Sequence, residues 1–113
     1  MTRHWSEDFA LTFLQRRGLK LICRNYQIRQ GEIDLILRDN ELIIFLEVRY
    51  RASDRFGQPE ETINVAKRNR LRRTAEHFLA CHKNLSAQPC RFDVLAILGP
   101  RENPVSNWIR DVL

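Results

Sequence analysis

The 113-residue sequence is poor in cysteine, with only Cys23, Cys81 and Cys90, and no CxxC pair occurs. An odd number of widely separated cysteines argues against a disulfide framework and against a zinc ribbon, so we expect a reducing compartment. We expect Cys81 and Cys90 to pack in the core. The histidines also lack the spacing of a metal-ligand set, which indicates surface or helix-end positions for His77 and His82.

Long apolar stretches are missing as well. The longest run, residues 42–46, is far too short to cross a bilayer, and the opening MTRHWSEDF contains no apolar core of a signal peptide. No repeat, linker or low-complexity segment interrupts the chain. With 43% hydrophobic residues, a chain of this size can bury a core without disulfides or a structural metal. We therefore expect one soluble, cytoplasmic domain over residues 1–113.

Basic residues outnumber acidic ones. The 19 Lys and Arg against 14 Asp and Glu give a formal net charge of +5 and a pI near 9.6. This balance favours a polyanionic partner such as nucleic acid. Because many basic proteins bind no nucleic acid, the positions of the charges must decide.

The apolar patterns predict a helix, three strands, a second helix and one or two strands. Ser6 can cap a first helix that starts at Glu7 and ends near Gly18. Residues 19–28, 32–38 and 41–49 have strand character, with turns at 29–31 and at Asp39-Asn40. Residues 50–61 show no period, which predicts an exposed loop.

The second half of the chain continues the same alternation. Thr62 or Asn64 can cap a helix that runs to about Ala80. Residues 91–97 have strand character, and a short strand near Trp108 is expected to close the sheet. The complete order of elements predicts an α/β sandwich.

The predicted hairpin places its charges on one face. With a two-residue turn at Asp39-Asn40, Asp34 faces Phe45, and Glu32 faces Glu47. Alternation then sends four charged residues to one side, namely Glu32, Asp34, Glu47 and Arg49. The other side receives Ile33, Leu35, Leu37, Leu42, Ile44, Leu46 and Val48. A turn of odd length would instead separate Asp34 from Glu47.

Three carboxylates on one face cost free energy unless a cation joins them. Arg49 offsets part of this cost, and Asp34 and Glu47 supply the hard oxygen ligands that suit Mg²⁺. The alternative interpretation places these charges at the solvent edge of the sheet, where Arg49 and other basic side chains satisfy them.

Five segments resemble a known bacterial family. They are GEIDLI at 31–36, FLEVRYR at 45–51, the Phe56-Gly57 loop, the helix at 67–75 and RFDVLAI at 91–97. Together they resemble the YraN-type family, which is itself similar to archaeal Holliday junction resolvases within the PD-(D/E)xK nucleases. The resemblance implies a restriction-endonuclease-like core with a mixed β-sheet flanked by helices on both faces. It also implies phosphodiester hydrolysis with Mg²⁺ or Mn²⁺ and, by analogy with resolvases, a homodimer.

The resemblance assigns roles to individual residues. Asp34 matches the metal-binding aspartate, Glu47 the second acidic ligand, and Arg49 the place of the motif lysine. Glu7 matches a glutamate that completes the resolvase-type site, although a helix dipole alone also favours glutamate in a first turn. Gly31 is assigned to turn chemistry. Arginine stays charged and can fix phosphate, but it cannot give up a proton as lysine can.

A lysine elsewhere can compensate for Arg49. Lys67 falls on the helix stripe of Leu71, Ala75 and Phe78, so its ammonium can reach the site, or its stem can simply lie along the core. Arg70 and Arg73 are predicted to point away from this stripe. Four arginines give the helix a basic face that suits phosphates or simply faces water, namely Arg68, Arg70, Arg72 and Arg73.

Three functions are compatible with this sequence. The first is a metal-dependent endonuclease acting on DNA, with branched or junction DNA as the candidate substrate. The second is a nucleic-acid-binding module with a weakened site. The third is a factor whose basic face binds an acidic protein.

Overall fold

The computed structural model describes residues 4–53 and 64–113. In these segments the apolar patterns form a helix, three strands, a second helix and two strands. The helices are α1 (Trp5–Gln15) and α2 (Val65–Cys81). The strands are β1 (Lys20–Ile28), β2 (Gly31–Asp39), β3 (Leu42–Arg51), β4 (Cys90–Leu98) and β5 (Val105–Ile109).

The described strands form one five-stranded sheet in sequence order. Neighbouring strands are antiparallel except β3 and β4, which are parallel and are joined by the crossover that contains α2. The predicted strand near Trp108 is β5, at the edge of the sheet. The mixed sheet and its two helices confirm the predicted α/β class and are compatible with a restriction-endonuclease-like core.

Both faces of the sheet are apolar, and one helix packs on each. On one face, α1 packs on a cluster formed by Ala10, Leu14, Leu19, Leu35, Leu37, Ile44, Leu46, Leu95 and Ile97. On the other face, α2 packs on a cluster formed by Ile33, Ile36, Ile43, Phe45, Leu71, Ala75 and Phe78. Ile33 was expected to share a face with Leu35, but it packs in the α2 cluster while Leu35 packs in the α1 cluster. Strict alternation therefore fails at Ile33, next to the point where the pairing of β2 with β3 ends.

The turn between β2 and β3 lies one residue later than predicted. Asp39 pairs with Leu42, so Asn40 and Glu41 form the turn. Asn40 has a φ of 55°, a left-handed conformation that asparagine adopts more readily than most residues. The turn therefore centres on Asn40 and leaves Asp39 in the strand.

This later turn changes the partners of the hairpin but not its faces. Leu35 pairs with Leu46, and the same register places Asp34 level with Glu47, where Phe45 was predicted. Moving the turn by one residue shifts every partner by two positions, and side chains alternate with a period of two. Asp34 and Glu47 therefore stay on the same face, as predicted.

The helices begin close to the predicted positions. His4, rather than Ser6, caps α1, because its Nδ1 accepts a hydrogen bond of 3.1 Å from the Ser6 N–H. Ser6 lies inside the helix and is buried. The Asn64 side chain caps α2 by accepting from the Lys67 N–H at 2.9 Å, while the alternative cap, Thr62, lies outside the described residues.

Gly31 lets α2 approach β2 closely. It is the first residue of β2 and does not have the positive φ that a turn glycine supplies. A Cβ at this position would lie 2.7 Å from Thr74 Oγ1 and 3.4 Å from the Arg70 carbonyl oxygen of α2. The glycine of the GEIDLI segment therefore serves helix packing, where turn chemistry was predicted.

The aspartate of RFDVLAI is a structural anchor. Asp93 is 1% exposed, and its carboxylate accepts two hydrogen bonds of 2.8 Å from Arg91. It also accepts from Trp108 Nε1 at 2.9 Å and from the Asp111 N–H at 3.0 Å. Four donors satisfy this buried carboxylate, so it holds the C-terminal strand against β4.

Other predictions concern the cysteines and the chain after β3. Cys81 and Cys90 are exposed, so their predicted core positions are wrong. Cys81 is the last residue of α2 and Cys90 is the first residue of β4. β3 continues to Arg51, two residues beyond its predicted end. The Phe56-Gly57 loop lies outside the described residues. No helix in the described part of the chain is long and apolar enough to span a membrane.

Candidate active site

The candidate site lies where β2 and β3 stop pairing. Beyond Leu35 and Leu46, Asp34 bonds to β3 through its side chain, with Oδ2 accepting from the Val48 N–H at 2.8 Å. This bond fixes one carboxylate oxygen of Asp34 and leaves the other to face neighbouring groups. The Asp34 side chain is therefore held directly beside Glu47.

Helix α2 contributes a cation to the same place. Lys67 lies one turn before Leu71 on the stripe that packs on the sheet, and its Nζ is 3.3 Å from Glu47 Oε2. Glu47 is only 8% exposed and the Lys67 side chain is 29% exposed, so the carboxylate of this ion pair is shielded from water more than the ammonium. The ammonium thus reaches Glu47, which is one of the two placements that the helix periodicity left open.

Two further carboxylates lie close enough to Asp34 to act on it electrostatically. Glu7 of α1 and Glu32 of β2 are bridged by the side-chain amide of Asn25, which lies in β1. Asn25 Nδ2 is 3.0 Å from Glu7 Oε1 and 3.2 Å from Glu32 Oε1. Asn25 is a residue that sequence reasoning missed, although asparagine is rare in strands and its presence inside a predicted strand was an available signal.

The grouping of carboxylates changes their acidity. Burial raises the pKa of Asp34 to about 7, and the negative charge of Glu47 acts in the same direction. Glu7 and Glu32 add to this effect, while the hydrogen bond from Val48 opposes it. Burial also raises the pKa of Glu47, against the opposing charges of Lys67 and Arg49. Burial therefore favours the protonated form of both carboxyl groups, and for Asp34 the neighbouring negative charges add to this effect.

A small cleft opens onto this cluster. It has a volume of about 170 Å³ and is lined by Gly31, Glu32, Asp34, Glu47, Lys67, Arg70 and Leu71. Arg70, which was predicted to point away from the packed stripe of the helix, is exposed and still lines the cleft. Residues three apart on a helix are neighbours on its surface, so Arg70 lies beside Lys67 at the cleft.

The remaining predicted residues lie around the cleft. Arg49 follows Glu47 by two residues on β3, on the same face, and its charge acts on Glu47. The other three arginines of the basic helix, Arg68, Arg72 and Arg73, are exposed on α2 and do not line the cleft. They are available to a partner that contacts the outer surface of the helix.

The family of the chain is shown by comparison with known proteins. The model of an uncharacterised protein family, UPF0102, matches residues 6–97. This chain belongs to the UPF0102 family. The match covers every residue of the candidate site, and it confirms the YraN-type resemblance seen in the sequence motifs.

Individual UPF0102 relatives match over almost the whole chain. The UPF0102 protein NE0719 of Nitrosomonas europaea is 49% identical over 106 residues, which are 94% of this chain and 87% of the relative. A UPF0102 protein of Nitrosococcus oceani is 44% identical over 94% of this chain and 86% of its own length. One of Xanthomonas oryzae pv. oryzae is 45% identical over 93% of this chain and 84% of its own length.

This UPF0102 site contains carboxylate oxygens that are possible ligands of a divalent cation. Within residues 4–53 and 64–113, no group of three or more His, Cys, Asp or Glu side chains is arranged to hold a metal ion. Mg²⁺ keeps several waters and commonly uses only one or two protein carboxylates. Asp34 and Glu47 provide two such carboxylates, which line the same cleft, and a cation between them would offset the repulsion of their negative charges. The residues present therefore fit such an ion.

Proposed function

We propose that this UPF0102 protein is a metal-dependent endonuclease that hydrolyses phosphodiester bonds in DNA. The observation that carries the proposal is the pairing of Asp34 with Glu47 inside a cleft whose opposite wall presents Lys67 and Arg70. A cation-binding pair of carboxylates beside fixed positive charges suits a phosphate group better than a neutral substrate.

Each side chain has a role in this proposal. Asp34 and Glu47 would hold Mg²⁺ or Mn²⁺. A cation bound there would lower the pKa of a coordinated water and offset charge on the phosphate. Lys67, already 3.3 Å from Glu47, can hold a proton or a water at the site, while Arg49 supplies a permanent charge for phosphate. Glu7 adds negative charge close to Asp34.

DNA is the proposed substrate because the helix that borders the cleft is basic. Its arginines Arg68, Arg70, Arg72 and Arg73 can contact successive backbone phosphates, which positions a strand without reading its sequence. The resemblance to Holliday junction resolvases makes branched DNA the first substrate to examine.

A second function is favoured by one contact. Lys67 already pairs with Glu47, and Arg49 stands where the resembling nucleases carry lysine. A site that is partly neutralised by its own lysine, and lacks the motif lysine, suits a nucleic-acid-binding module with weak or no hydrolysis. This candidate keeps the basic helix and drops the reaction.

The deciding experiment is a cleavage assay on branched and linear DNA with Mg²⁺, Mn²⁺ or EDTA. The variants are Asp34→Asn, which alters the cleft, and Asp39→Asn, which removes the same charge from an exposed position at the far end of β2. The proposal expects cation-dependent cleavage by the parent and by D39N, and a loss in D34N.

Other outcomes separate the alternatives. DNA binding in a gel shift without cleavage would favour the binding module. Neither cleavage nor binding would favour the third function, in which the basic face meets an acidic protein. Cleavage that persists in D34N would contradict the site assignment itself, because a neutral amide cannot replace a charged cation ligand.

A further inference from the structure

Asn25 has an unusual backbone for a strand residue. Its φ is 51°, and the other non-glycine residues with positive φ in the described segments are Asn40 and Asp111. Asn40 lies in a hairpin turn and Asp111 follows the last strand, whereas Asn25 lies inside β1. A left-handed residue within a strand persists only where its surroundings hold it, and such residues cluster at functional sites.

The position of Asn25 in the sheet is equally specific. Arg24 pairs with Leu35 and Tyr26 pairs with Ile33, so Asn25 lies level with Asp34. Asp34 in turn lies level with Glu47. Asn25, Asp34 and Glu47 therefore form one row across β1, β2 and β3, with Asn25 at its β1 end.

The amide nitrogen of Asn25 makes two contacts that the amide oxygen could not make. Its Nδ2 carries two hydrogens, and it donates to one oxygen of Glu7 and to one oxygen of Glu32. The amide oxygen would be repelled by both carboxylates, so the nitrogen must face them. One neutral group thus holds two negative side chains, from α1 and β2, that would otherwise repel each other.

We propose that Asn25 is a positioning residue, whose amide clamps Glu7 and Glu32 beside the Asp34–Glu47 pair and so strengthens the binding of a divalent cation there. The inference rests on the proposed function, because it takes the Asp34–Glu47 pair as the cation ligands. Glu32 is exposed, so without the amide its side chain is free to rotate into water, away from Asp34. Partners of this kind, which orient charged groups around a metal site, typically change metal affinity by about 10–100-fold when removed.

Binding of Mn²⁺ alone, measured by titration calorimetry, tests the clamp without any nucleic acid. The main variant is Asn25→Gly, because glycine adopts positive φ freely and so keeps the backbone while removing the amide. The matched control is Asn40→Gly, which makes the same exchange at the same kind of backbone in the hairpin turn. We expect N25G to bind Mn²⁺ about tenfold or more weakly than the parent, and N40G to bind like the parent.

A double-mutant cycle shows whether Asn25 acts through the two glutamates. Glu7→Gln with Glu32→Gln leaves the backbone of β1 untouched and should weaken Mn²⁺ binding by itself. Adding N25G to this pair should change the affinity no further, since the amide then has no carboxylate to position. Fully additive losses would overturn the clamp, because Asn25 would then act by another route.

The remaining outcomes distinguish this inference from the proposed function. A parent that binds Mn²⁺ no better than N25G overturns the clamp and leaves the cation site standing. A Glu7→Gln, Glu32→Gln variant with parental affinity overturns it as well, whether or not N25G folds. A parent that binds no Mn²⁺ overturns both proposals.

Discussion

Asp34 is a carboxylate whose protonation is coupled to folding. Its pKa is raised to about 7 in the folded chain by burial and by neighbouring carboxylates, from an ordinary value of 3.8. The folded chain therefore binds more protons than the unfolded chain between these values. The stability that this proton contributes is present below the ordinary pKa and is lost as pH rises through about 7.

The first prediction concerns this pH dependence in EDTA. The parent should lose stability from about pH 5 to about pH 8, by on the order of 1–3 kcal/mol more than Asp34→Asn, which cannot titrate. Urea unfolding of both proteins at the two pH values measures the difference. At the higher pH the variant should be at least as stable as the parent. A variant that is much less stable there would identify Asp34 as an ion-pair partner of a basic residue.

The second prediction concerns the cation. Added Mg²⁺ or Mn²⁺ should raise the melting temperature of the parent by mass action, and the rise should be larger at about pH 8, where Asp34 is ionised. Asp34→Asn lacks one charged ligand and should respond weakly, whereas Asp39→Asn should respond like the parent. Equal responses from all three proteins would place the cation elsewhere.

The third prediction concerns Arg49, which occupies the place of the motif lysine. Arg49→Lys should keep or increase any Mg²⁺-dependent cleavage, because lysine can hold the attacking water as well as contact phosphate. Lys67→Met, which removes the other ammonium near Glu47, should reduce cleavage in the parent more than in R49K. Rates of cleavage of one branched substrate measure both effects. A large loss in R49K would instead assign Arg49 a two-pronged contact to phosphate.

Single residues differ in how far the sequence alone could place them. The common face of Asp34 and Glu47 follows from the period of two in a strand, so a modest error in the turn leaves it intact. The place of Lys67 on the packed stripe of α2 follows from the helix period, whereas the contact of its ammonium with Glu47 does not. Asn25 could not be placed in this way, because its role depends on a left-handed backbone and on a contact to α1, eighteen residues away in sequence.

At the scale of elements, the spacing of apolar residues predicted the order of helices and strands. It could not predict how closely two elements approach each other, which depends on contacts between residues distant in sequence. Gly31 illustrates this limit, since a glycine before a strand suggests a turn in sequence. Its actual role depends on the side chain of Thr74, which is buried and donates a hydrogen bond of 2.7 Å to the Arg70 carbonyl oxygen. Such a contact between distant elements leaves no periodic signal.

The fourth prediction tests the seating of α2. In Gly31→Ala the new Cβ would lie 2.7 Å from Thr74 Oγ1, so the helix or the strand must shift. We expect a loss of stability of about 1–3 kcal/mol, measured by urea unfolding, and a loss of cleavage as Lys67 moves from Glu47. Thr74→Ala in the same chain removes the obstructing oxygen and should recover part of both losses. Additive losses in the double variant would mean that Gly31 matters for another reason.

At the scale of the whole molecule, the two faces of the sheet differ in what their helices carry. The face covered by α1 buries the larger apolar cluster, and the face covered by α2 combines an apolar cluster with Asp34, Glu47 and a basic helix. Net charge alone predicted a polyanionic partner without placing it. The fold places four arginines on α2, which borders the cleft, so α2 is the surface where we expect a polyanionic partner to bind.

The last prediction asks whether DNA meets this surface. Association that releases counterions weakens as salt rises, and each contact between a basic side chain and a phosphate adds about 0.9 to the slope of log affinity against log salt. Removing two exposed charges from α2, in Arg68→Gln with Arg72→Gln, should therefore reduce the slope by about two.

The matched control removes two charges on the α1 side, in Arg16→Gln with Arg101→Gln, residues that line a separate cleft beside Trp5 and Phe9. The control should keep the parental slope. Fluorescence anisotropy with a labelled branched DNA, measured in EDTA over a range of salt, gives all three slopes. Equal reductions in both variants would mean that net charge alone attracts DNA, and a parental affinity that stays flat with salt would exclude α2 as a phosphate-contacting surface.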